Sequence, residues 1–338
     1  MRGSRVSSLS IVLESSGQSV IPLVLKVNQG QSLMKWSKFF QPAIAATAIL
    51  FSSVSISQEV VTHKKLAADF YPGEGTSVVI LLHGTLAHNR MEIIATISEL
   101  LSDDYGVAVL APNLSLDDTS RMGDAVQTST KSYDLLTACD IDHTHTFMDG
   151  AKEISLWVEY LTTKGFENIV VSGHSRGGRQ ASAYLAEYPR IPAVKAGVLI
   201  ASGMSHNEQN QENYKKDSGI DLQPLLAKAA TQSPDQFIGV PRFIYCDNPR
   251  VTAEAFIAEY AEDPVHSAPL NIAKVTDIPV LAIGGTEDTV VSDLEGDFAD
   301  IAAQPNLTIE MIDGADHFFR DLYADDVASL IADVVEGL

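Results

Sequence analysis

The sequence predicts an α/β fold in which a mostly parallel central sheet is flanked by helices and carries an inserted cap region. The first observation is a series of nearly continuous apolar runs, which are typical of strands buried on both faces of a sheet. These runs are Ser77–Leu82, Gly106–Pro112, Ile169–Val171 and Ile278–Ile283. The second observation is that stretches with apolar residues at helical spacing alternate with the runs, as in parallel strands joined by crossover helices.

The first part of this pattern begins with Val60–Tyr71, which we interpret as an antiparallel hairpin arm with its turn at Pro72–Gly75. The strand Ser77–Leu82 follows. A helix is then predicted by the apolar residues Ile93, Ile94, Ile97, Leu100 and Leu101. After the strand Gly106–Pro112, residues 113–146 are polar and irregular, and we predict a long loop there.

The second part of the pattern begins with a helix marked by Ile154, Trp157, Val158 and Leu161, with Gly165 placed as its C-cap. The strand Ile169–Val171 and the strand Val194–Ala201 come next. Residues 202–270 then break the rhythm, because they are rich in Asn, Gln, Asp and Ser. We interpret them as a cap inserted into the sheet, where insertions build substrate pockets. Two further strands and a helix carrying Val327, Leu330, Ile331 and Val334 end the chain.

The N-terminal segment differs in composition from the rest. Residues 34–57 combine a basic start at Met34–Lys38, a short apolar run and small residues before Gln58, which predicts a secretory signal peptide. The alternatives are an uncleaved signal anchor and an ordinary amphipathic helix. We interpret residues 1–33 as an upstream extension that is either non-native or disordered, and residues 58–338 as the α/β domain. The mature protein is then expected in the periplasm or outside the cell.

The net charge limits the classes of molecule that the protein is expected to bind, and the cysteine content limits the disulfides that it can form. The formal net charge of −21 argues against nucleic acid and anionic membranes, because phosphate contacts need clustered Lys and Arg. No stable membrane insertion is expected after signal cleavage, and the sequence makes no prediction of oligomeric state. Cys139 and Cys246 are the two cysteines of the chain, and in an oxidising compartment they can pair. Sequence alone leaves open whether they meet.

The motif that carries chemistry is Gly173-His174-Ser175-Arg176-Gly177, which follows a β-branched run and precedes helix-forming residues. A Gly-x-Ser-x-Gly motif between a strand and a helix places the serine hydroxyl at the apex of a sharp turn. The glycines remove Cβ atoms that would collide where the strand folds back on the helix. Ser175 is therefore a candidate nucleophile, and it needs a base, an orienting acid and donors for an oxyanion.

The order of the motifs resembles the α/β-hydrolase family, and the resemblance covers nearly all of residues 60–338. In that family the nucleophile, acid and histidine follow strands in this order. The resemblance implies that Asp288, in Gly284-Gly285-Thr286-Glu287-Asp288, is the acid, with Glu287 as the weaker candidate. His317, in Asp313-Gly314-Ala315-Asp316-His317, is implied as the base.

The same resemblance implies the remaining parts of the site. One oxyanion donor is the backbone N–H of Arg176, and the other is that of Thr85 after His83-Gly84, with Leu86 as second candidate. The implied activity is hydrolysis of a small-molecule carboxylic ester through an acyl-enzyme, with no metal or organic cofactor. A thioesterase, amidase or peptidase would use the same triad, and a catalytically silent binding protein on this fold is the alternative from another class.

Several other polar residues admit two interpretations. The long basic side chains of Arg176 and Arg179 either pair with carboxylates of the protein, including one from the cap, or meet an acidic substrate. His83 and His88 are predicted to be hydrogen-bonding residues around the site rather than catalysts. The run Asp140-x-Asp142-His143-x-His145 has the residue types of a metal site, and the polarity of a solvated loop explains it as well.

Overall fold

The computed structural model describes residues 58–114, 139, 142–205 and 207–338. The predicted extension 1–33, the predicted signal peptide 34–57 and most of the predicted loop 113–146 lie outside the described residues. The strands are β1 (Glu59–His63), β2 (Leu66–Tyr71), β3 (Ser77–Leu82), β4 (Ala108–Asn113), β5 (Asp142–His143), β6 (Asn168–His174), β7 (Val194–Ile200), β8 (Phe237–Ile238), β9 (Arg242–Phe243), β10 (Cys246–Asp247), β11 (Arg250–Thr252), β12 (Val280–Gly285) and β13 (Leu307–Ile312).

The described residues also form nine α-helices. They are α1 (Glu92–Asp103), α2 (Phe147–Thr163), α3 (Arg176–Glu187), α4 (Asn207–Ser218), α5 (Leu222–Ala229), α6 (Ala253–Tyr260), α7 (Ala268–Ile272), α8 (Leu294–Phe298) and α9 (Leu322–Glu336). Short 3-10 helices occupy Pro264–His266 and Ala299–Ile301.

Eight strands form the central sheet in the order β1-β2-β4-β3-β6-β7-β12-β13. Every neighbouring pair from β4 to β13 is parallel, whereas β2 runs antiparallel to β1 and to β4. The predicted mostly parallel sheet is therefore confirmed. Because the six strands from β4 to β13 run the same way, the carboxyl ends of β3, β6, β12 and β13 lie at one edge of the sheet. That edge is where ligands bind in open α/β sheets.

Helices cover both faces of this sheet, and each face has its own apolar core. Helices α2, α3, α7 and α8 pack on one face, where the fully buried side chains include Trp157 and Phe298. Helices α1 and α9 pack on the other, around Ile97, Leu101 and Ile331. The burial of one such side chain contributes roughly 1.5–3 kcal/mol to folding, so these layers hold the sheet edge in place.

The hairpin arm is present, but its turn lies elsewhere than predicted. The turn of the β1–β2 hairpin is Lys64–Lys65, since His63 pairs directly with Leu66. Both lysines have positive φ angles, 46° and 69°, as a two-residue type I′ turn requires. The segment Pro72–Gly75 instead connects β2 to β3. The prediction of this turn was wrong because two lysines carry none of the Gly or Asn signal typical of type I′ turns.

The insertion between β7 and β12 has a small core of its own. Its buried members lie in α4, α5, β9, β11, α6 and the segment between β8 and β9, and are Tyr214, Leu222, Ala229, Val240, Phe243, Val251, Ala253, Ala255 and Phe256. We call residues 207–260 the cap. The predicted insertion extended to about residue 270, but Ala268 and Ile272 of α7 pack in the core of the sheet. Strand β11 also pairs in parallel with β5, which ties the cap to the segment before α2.

Candidate active site

Ser175 stands at the turn between β6 and α3, in the place that the sequence predicts. Its backbone has φ 54° and ψ −120°, a conformation that L-residues rarely adopt. The turn is held from both sides, because the Ser175 N–H donates to the Ile200 carbonyl at 2.8 Å and the Ser202 hydroxyl donates to the Ser175 carbonyl at 2.8 Å. Such strain is kept only where the surrounding structure over-determines it, and it clusters at functional sites.

Two glycines of the motif make this turn sterically feasible. A Cβ on Gly173 would lie 2.5 Å from the carbonyl carbon of Gly177. A Cβ on Gly177 would lie 2.4 Å from the backbone oxygen of His83. Both contacts are with backbone atoms that a rotamer change cannot move. The close approach of helix, strand and the loop after β3 therefore depends on the absence of these side chains, as predicted.

His317 and Asp288 are joined by a hydrogen bond. Nδ1 of His317 donates to Oδ2 of Asp288 at 2.8 Å, and both side chains are buried. The other carboxylate oxygen, Oδ1, accepts the N–H groups of Val290 at 2.7 Å and Val291 at 2.8 Å. Because Nδ1 carries the proton in this bond, Nε2 is the basic nitrogen of a neutral His317 ring. Glu287, the weaker candidate for the acid, is exposed.

The environment of Asp288 keeps this carboxyl ionised. Burial by itself raises the pKa of a carboxyl group, and here it is the largest single influence. The hydrogen bond and charge of His317, together with the N–H groups of Val291 and Val290, act in the opposite direction and outweigh it. The pKa of Asp288 is therefore lowered, so the residue presents a negative charge to the imidazole.

The loop after β3 carries the predicted oxyanion donor and is fixed at several points. Nε2 of His83 accepts the Leu114 N–H at 2.9 Å, so its Nδ1–H donates to the Gly84 carbonyl at 3.0 Å. Nδ1 of His88 accepts the Arg90 N–H at 3.2 Å. The Arg90 side chain in turn makes a bidentate ion pair with the buried carboxylate of Asp69. The predicted hydrogen-bonding roles of His83 and His88 are thus confirmed.

The oxyanion candidates belong to the loop after β3 and to the start of α3. A Cβ on Gly84 would come within 3.3 Å of the Ser175 Cβ, so the loop bearing Thr85 adjoins the nucleophile turn. Thr85 lines the same pocket as Ser175, whereas Leu86 is fully buried with φ 49°. Arg176 is the first residue of α3, and N–H groups in the first turn of a helix have no intrahelical acceptor.

A pocket of about 260 Å³ opens at this edge of the sheet. Ser175 and His317 both line it, together with Gly84, Thr85, Ala87, Met91, His174, Tyr245, Val290 and Phe318. Most of its wall is therefore apolar, with polar groups gathered near the serine. Tyr245 belongs to the turn between β9 and β10, so the cap contributes directly to the wall.

Arg176 meets the cap carboxylate that one interpretation predicted. Its Nη1 lies 2.8 Å from Oε1 and 2.7 Å from Oε2 of Glu259, the penultimate residue of α6. The guanidinium also stands over the Phe147 ring, 5.2 Å from its centroid. The Arg176 side chain therefore joins the turn of the nucleophile to the cap.

The described residues that the sequence offered as metal ligands each contact a different side chain of the protein. Asp142 pairs with Arg250, His143 packs its ring against Phe243 at 5.0 Å, and His145 lies 3.7 Å from Glu153. Asp140 lies outside the described residues. Within the described ranges, no cluster of three or more His, Cys, Asp or Glu side chains has the arrangement of a metal site.

Cys139 and Cys246 form a disulfide, with their Cα atoms 5.3 Å apart. The sequence left this pairing open, because nothing in it shows that a residue of the predicted long loop meets the start of β10. Cys246 is fully buried and packs against Leu86, next to the predicted oxyanion residue Thr85. The disulfide thus ties the cap to Cys139, before β5, while the packing of Cys246 on Leu86 places this part of the cap against the loop after β3.

Among the pocket residues that sequence reasoning missed are His174, Tyr245, Val290 and Phe318. His174 lies inside the predicted motif, but its contact with His317 spans 143 positions of the chain and leaves no local signal. Tyr245 lies in the insertion, where no pattern indicated which residue would reach the serine. Val290 and Phe318 follow the acid and the histidine, and their nearness to those residues was the only available sign.

Comparison with known proteins agrees with this architecture. The model of the alpha/beta hydrolase family matches residues 79–330. A bifunctional esterase/perhydrolase from Acinetobacter calcoaceticus is 34% identical over 95 residues, which are 28% of this chain and 31% of that enzyme. The chain therefore matches less than a third of that relative's length. No helix in the described ranges has the length and apolar character needed to cross a membrane.

Solved structures of low identity share the fold. Est1E from Butyrivibrio proteoclasticus aligns with a TM-score of 0.54 at 17% identity, over 82% of this chain and 99% of its own. A lipase in its open form aligns with a TM-score of 0.56 at 18% identity, over 83% of this chain and 98% of its own. At these identities the likeness extends to the fold alone.

Proposed function

The chain belongs to the alpha/beta hydrolase family, and from that premise we propose that it hydrolyses a carboxylic ester through an acyl-enzyme on Ser175. The observation that carries this proposal is the 2.8 Å bond between His317 and Asp288 beside a pocket that Ser175 and His317 both line. The name of the Acinetobacter relative, an esterase/perhydrolase, supports acyl chemistry.

In the first step, the Ser175 hydroxyl oxygen attacks the carbonyl carbon of the ester while Nε2 of His317 takes its proton. The charge on Asp288 stabilises the imidazolium that forms and holds the ring in one tautomer. Collapse of the tetrahedral intermediate breaks the bond to the leaving alcohol, which receives the proton from His317. Ser175 then carries the acyl group as an ester.

In the second step, a water molecule gives its proton to Nε2 of His317 and attacks the acyl carbon. The second intermediate collapses, the proton returns to the Ser175 oxygen, and the carboxylic acid leaves. In both steps the negative oxygen is stabilised by the N–H groups of Arg176 and Thr85. Removal of one such donor costs roughly a hundredfold or more in rate.

The pocket supports a small ester as substrate. A volume of about 260 Å³ with a mostly apolar wall suits a compact apolar acyl group. The same residues would act on a thioester or an amide, since the nucleophile and oxyanion donors are shared. A competition experiment with an oxygen ester, a thioester and an anilide of the same acyl group would show which of the three bonds the protein hydrolyses fastest.

We also propose that the protein is exported, with residues 34–57 as a signal peptide and the mature chain in the periplasm or outside the cell. The disulfide between Cys139 and Cys246 supports this proposal, because such bonds persist in oxidising compartments. N-terminal sequencing of the native protein is expected to give a chain that begins near Gln58. A native chain that begins near Met1 or Met34 would contradict cleavage.

A fluorophosphonate probe tests the activity, because it labels only a serine that is activated as a nucleophile. We expect labelling of the purified protein, no labelling of Ser175→Ala, and labelling of His317→Ala slowed by at least about a thousandfold. Hydrolysis of p-nitrophenyl esters should follow the same order. A folded protein that neither labels nor hydrolyses esters would favour the alternative of a binding protein on this fold.

A further inference from the structure

The ion pair between Arg176 and Glu259 joins the nucleophile turn to the cap. Only 5% of the Arg176 side chain and 17% of the Glu259 side chain are exposed. An ion pair shielded from water is screened less by salt than a surface pair, and loss of one partner leaves an uncompensated charge. Arg176 also supplies an N–H group that the proposed function assigns to the oxyanion. One end of the pair is therefore part of the catalytic machinery.

Glu259 is the acidic group that faces two guanidinium groups here. Arg179 lies one helical turn after Ser175, and the charges of Arg176 and Glu259 both act on its guanidinium. If Glu259 became neutral, the two cations beneath the cap would lose the carboxylate whose charge acts on both of them. The carboxylate therefore holds α6 against the start of α3.

Tyr260, the next residue of α6, links the position of Glu259 to the pocket. The phenol oxygen of Tyr260 accepts the N–H of Ile244 at 2.6 Å. Ile244 has φ 54° and is followed by Tyr245, the cap residue that lines the pocket. The Tyr260 ring is fixed in turn by Phe243, Phe256 and Tyr214, whose ring centroids lie 5.0 to 5.9 Å away.

These contacts form a continuous path from Arg176 through Glu259, Tyr260 and Ile244 to Tyr245. We infer that Glu259 is a positioning residue that sets where Tyr245 stands over Ser175, and thereby which acyl groups the pocket accepts. The inference rests on the proposed function for its substrate, an ester whose acyl group is long enough to touch Tyr245. An acetyl group is too short to depend on that contact.

The physical reason is that the pairing of β9 with β10 and the disulfide hold the ends of the β9–β10 turn but make no contact that fixes the Tyr245 side chain. The disulfide at Cys246 holds the turn on its C-terminal side, against Leu86. The strained residue Ile244 is held on the N-terminal side by Tyr260. With that second attachment loosened, the exposed Tyr245 side chain can leave the wall while the disulfide remains closed.

The test is a double-mutant cycle on the full chain, with Glu259→Gln, Tyr245→Ala and the two combined. For p-nitrophenyl hexanoate we expect Glu259→Gln to raise KM about tenfold, a typical coupling between contacting residues. We expect KM for the acetate, and kcat for both esters, to change less than about threefold. The combined variant should be no worse than Tyr245→Ala alone, because Glu259 acts through that side chain.

Two further variants give the controls. Tyr260→Phe keeps the ring but removes the oxygen that accepts from Ile244, and it should reproduce the effect of Glu259→Gln on the hexanoate. Asp247→Asn removes an exposed ion pair to Arg242 on the same β9–β10 turn, away from the nucleophile. Its kinetics should match those of the wild type with both esters.

Two kinetic results would overturn the inference. One is an equal loss on acetate and hexanoate, which would make Glu259 a general stabiliser of the cap. The other is an effect of Glu259→Gln that multiplies with that of Tyr245→Ala, since independent sites contribute additively to the free energy.

Hydrogen exchange separates this inference from the proposed function, because it needs no turnover. The Ile244 amide should exchange at least about tenfold faster in Glu259→Gln and in Tyr260→Phe than in the wild type. Faster exchange in a protein that hydrolyses no ester would reject the proposed function and retain the path to Tyr245. Unchanged exchange at Ile244 would reject the path, whatever the activity.

Discussion

Nε2 of His174 donates a hydrogen bond to the backbone carbonyl of His317 at 2.8 Å, so the residue before the nucleophile holds the loop of the base. The two rings lie with their centroids 4.8 Å apart. Because β6 is buried on both faces, His174 is a rigid support. This contact therefore links the loop that carries His317 directly to the turn at Ser175.

This contact predicts a pH dependence of stability. Burial, and then the neighbouring His317, lower the pKa of His174 to about 3, far below the value near 6.5 in an unfolded chain. Between these values the unfolded chain binds the proton and the folded protein does not. Stability therefore rises with pH across this window and is lost as the pH falls from about 6.5 towards 3, by up to about 1.4 kcal/mol per pH unit.

The substitution His174→Gln tests that prediction, because the amide keeps an N–H donor near the place of Nε2 and does not titrate. Urea unfolding from pH 7 to pH 4 should give a shallower decline for the variant than for the wild type. Because the pKa of Asp288 is lowered in the folded state, both proteins lose further folding stability as the pH falls below about 4. Parallel curves for the two proteins would contradict the prediction.

A second prediction concerns the acid of the triad. Asp288→Asn should lower kcat by about a thousandfold to ten-thousandfold, because a neutral amide neither holds the required tautomer of His317 nor stabilises its charge. Steady-state hydrolysis of p-nitrophenyl acetate measures this. Glu287→Gln is the matched control, since Glu287 is the exposed neighbouring carboxylate, and its kcat should stay within about twofold. A large loss in Glu287→Gln with a small one in Asp288→Asn would reverse the assignment.

A third prediction concerns Gly177, two residues after Ser175. Gly177→Ala should lose most activity and destabilise the fold by about 2–4 kcal/mol, because its Cβ would lie 2.4 Å from the His83 backbone oxygen. Gly239→Ala is the control, since a Cβ there has no heavy atom within 4 Å. Urea midpoints and fluorophosphonate labelling of both variants check the pair. Equal behaviour of the two alanine variants would show that the close approach at Gly177 is not required.

A fourth prediction concerns the disulfide, which closes a loop of 107 positions. In the chain-entropy model, closure of such a loop stabilises the fold by about 4.7 kcal/mol, whereas measured values commonly fall at 2–4 kcal/mol. Cys139 is exposed, and Cys139→Ser should therefore lower the free energy of unfolding by about 2–4 kcal/mol. Reduction of the wild type should have the same effect, and reductant should leave Cys139→Ser unchanged. A variant as stable as the oxidised wild type would contradict the prediction.

The site could be predicted from the sequence only where its residues follow a strand directly. Ser175, Asp288 and His317 each come within a few residues of the end of a buried strand, and parallel strands bring such ends together. The elements that hold these residues lie far away in the chain. His317 is steadied by His174, and Arg176 by Glu259, through contacts that no local pattern records.

The sequence by itself determined the mostly parallel sheet, the order of its strands along the chain and the turn at Ser175, because buried strands and close-packed turns restrict residue type locally. The candidate acid Asp288 and base His317 followed from the resemblance of their motifs to the α/β-hydrolase family. The tertiary structure alone decided the pairing of Cys139 with Cys246, the turn at Lys64–Lys65, the extent of the cap and the place of Tyr245 in the pocket. Those features depend on which distant surfaces meet, and many different residues satisfy such a contact equally well.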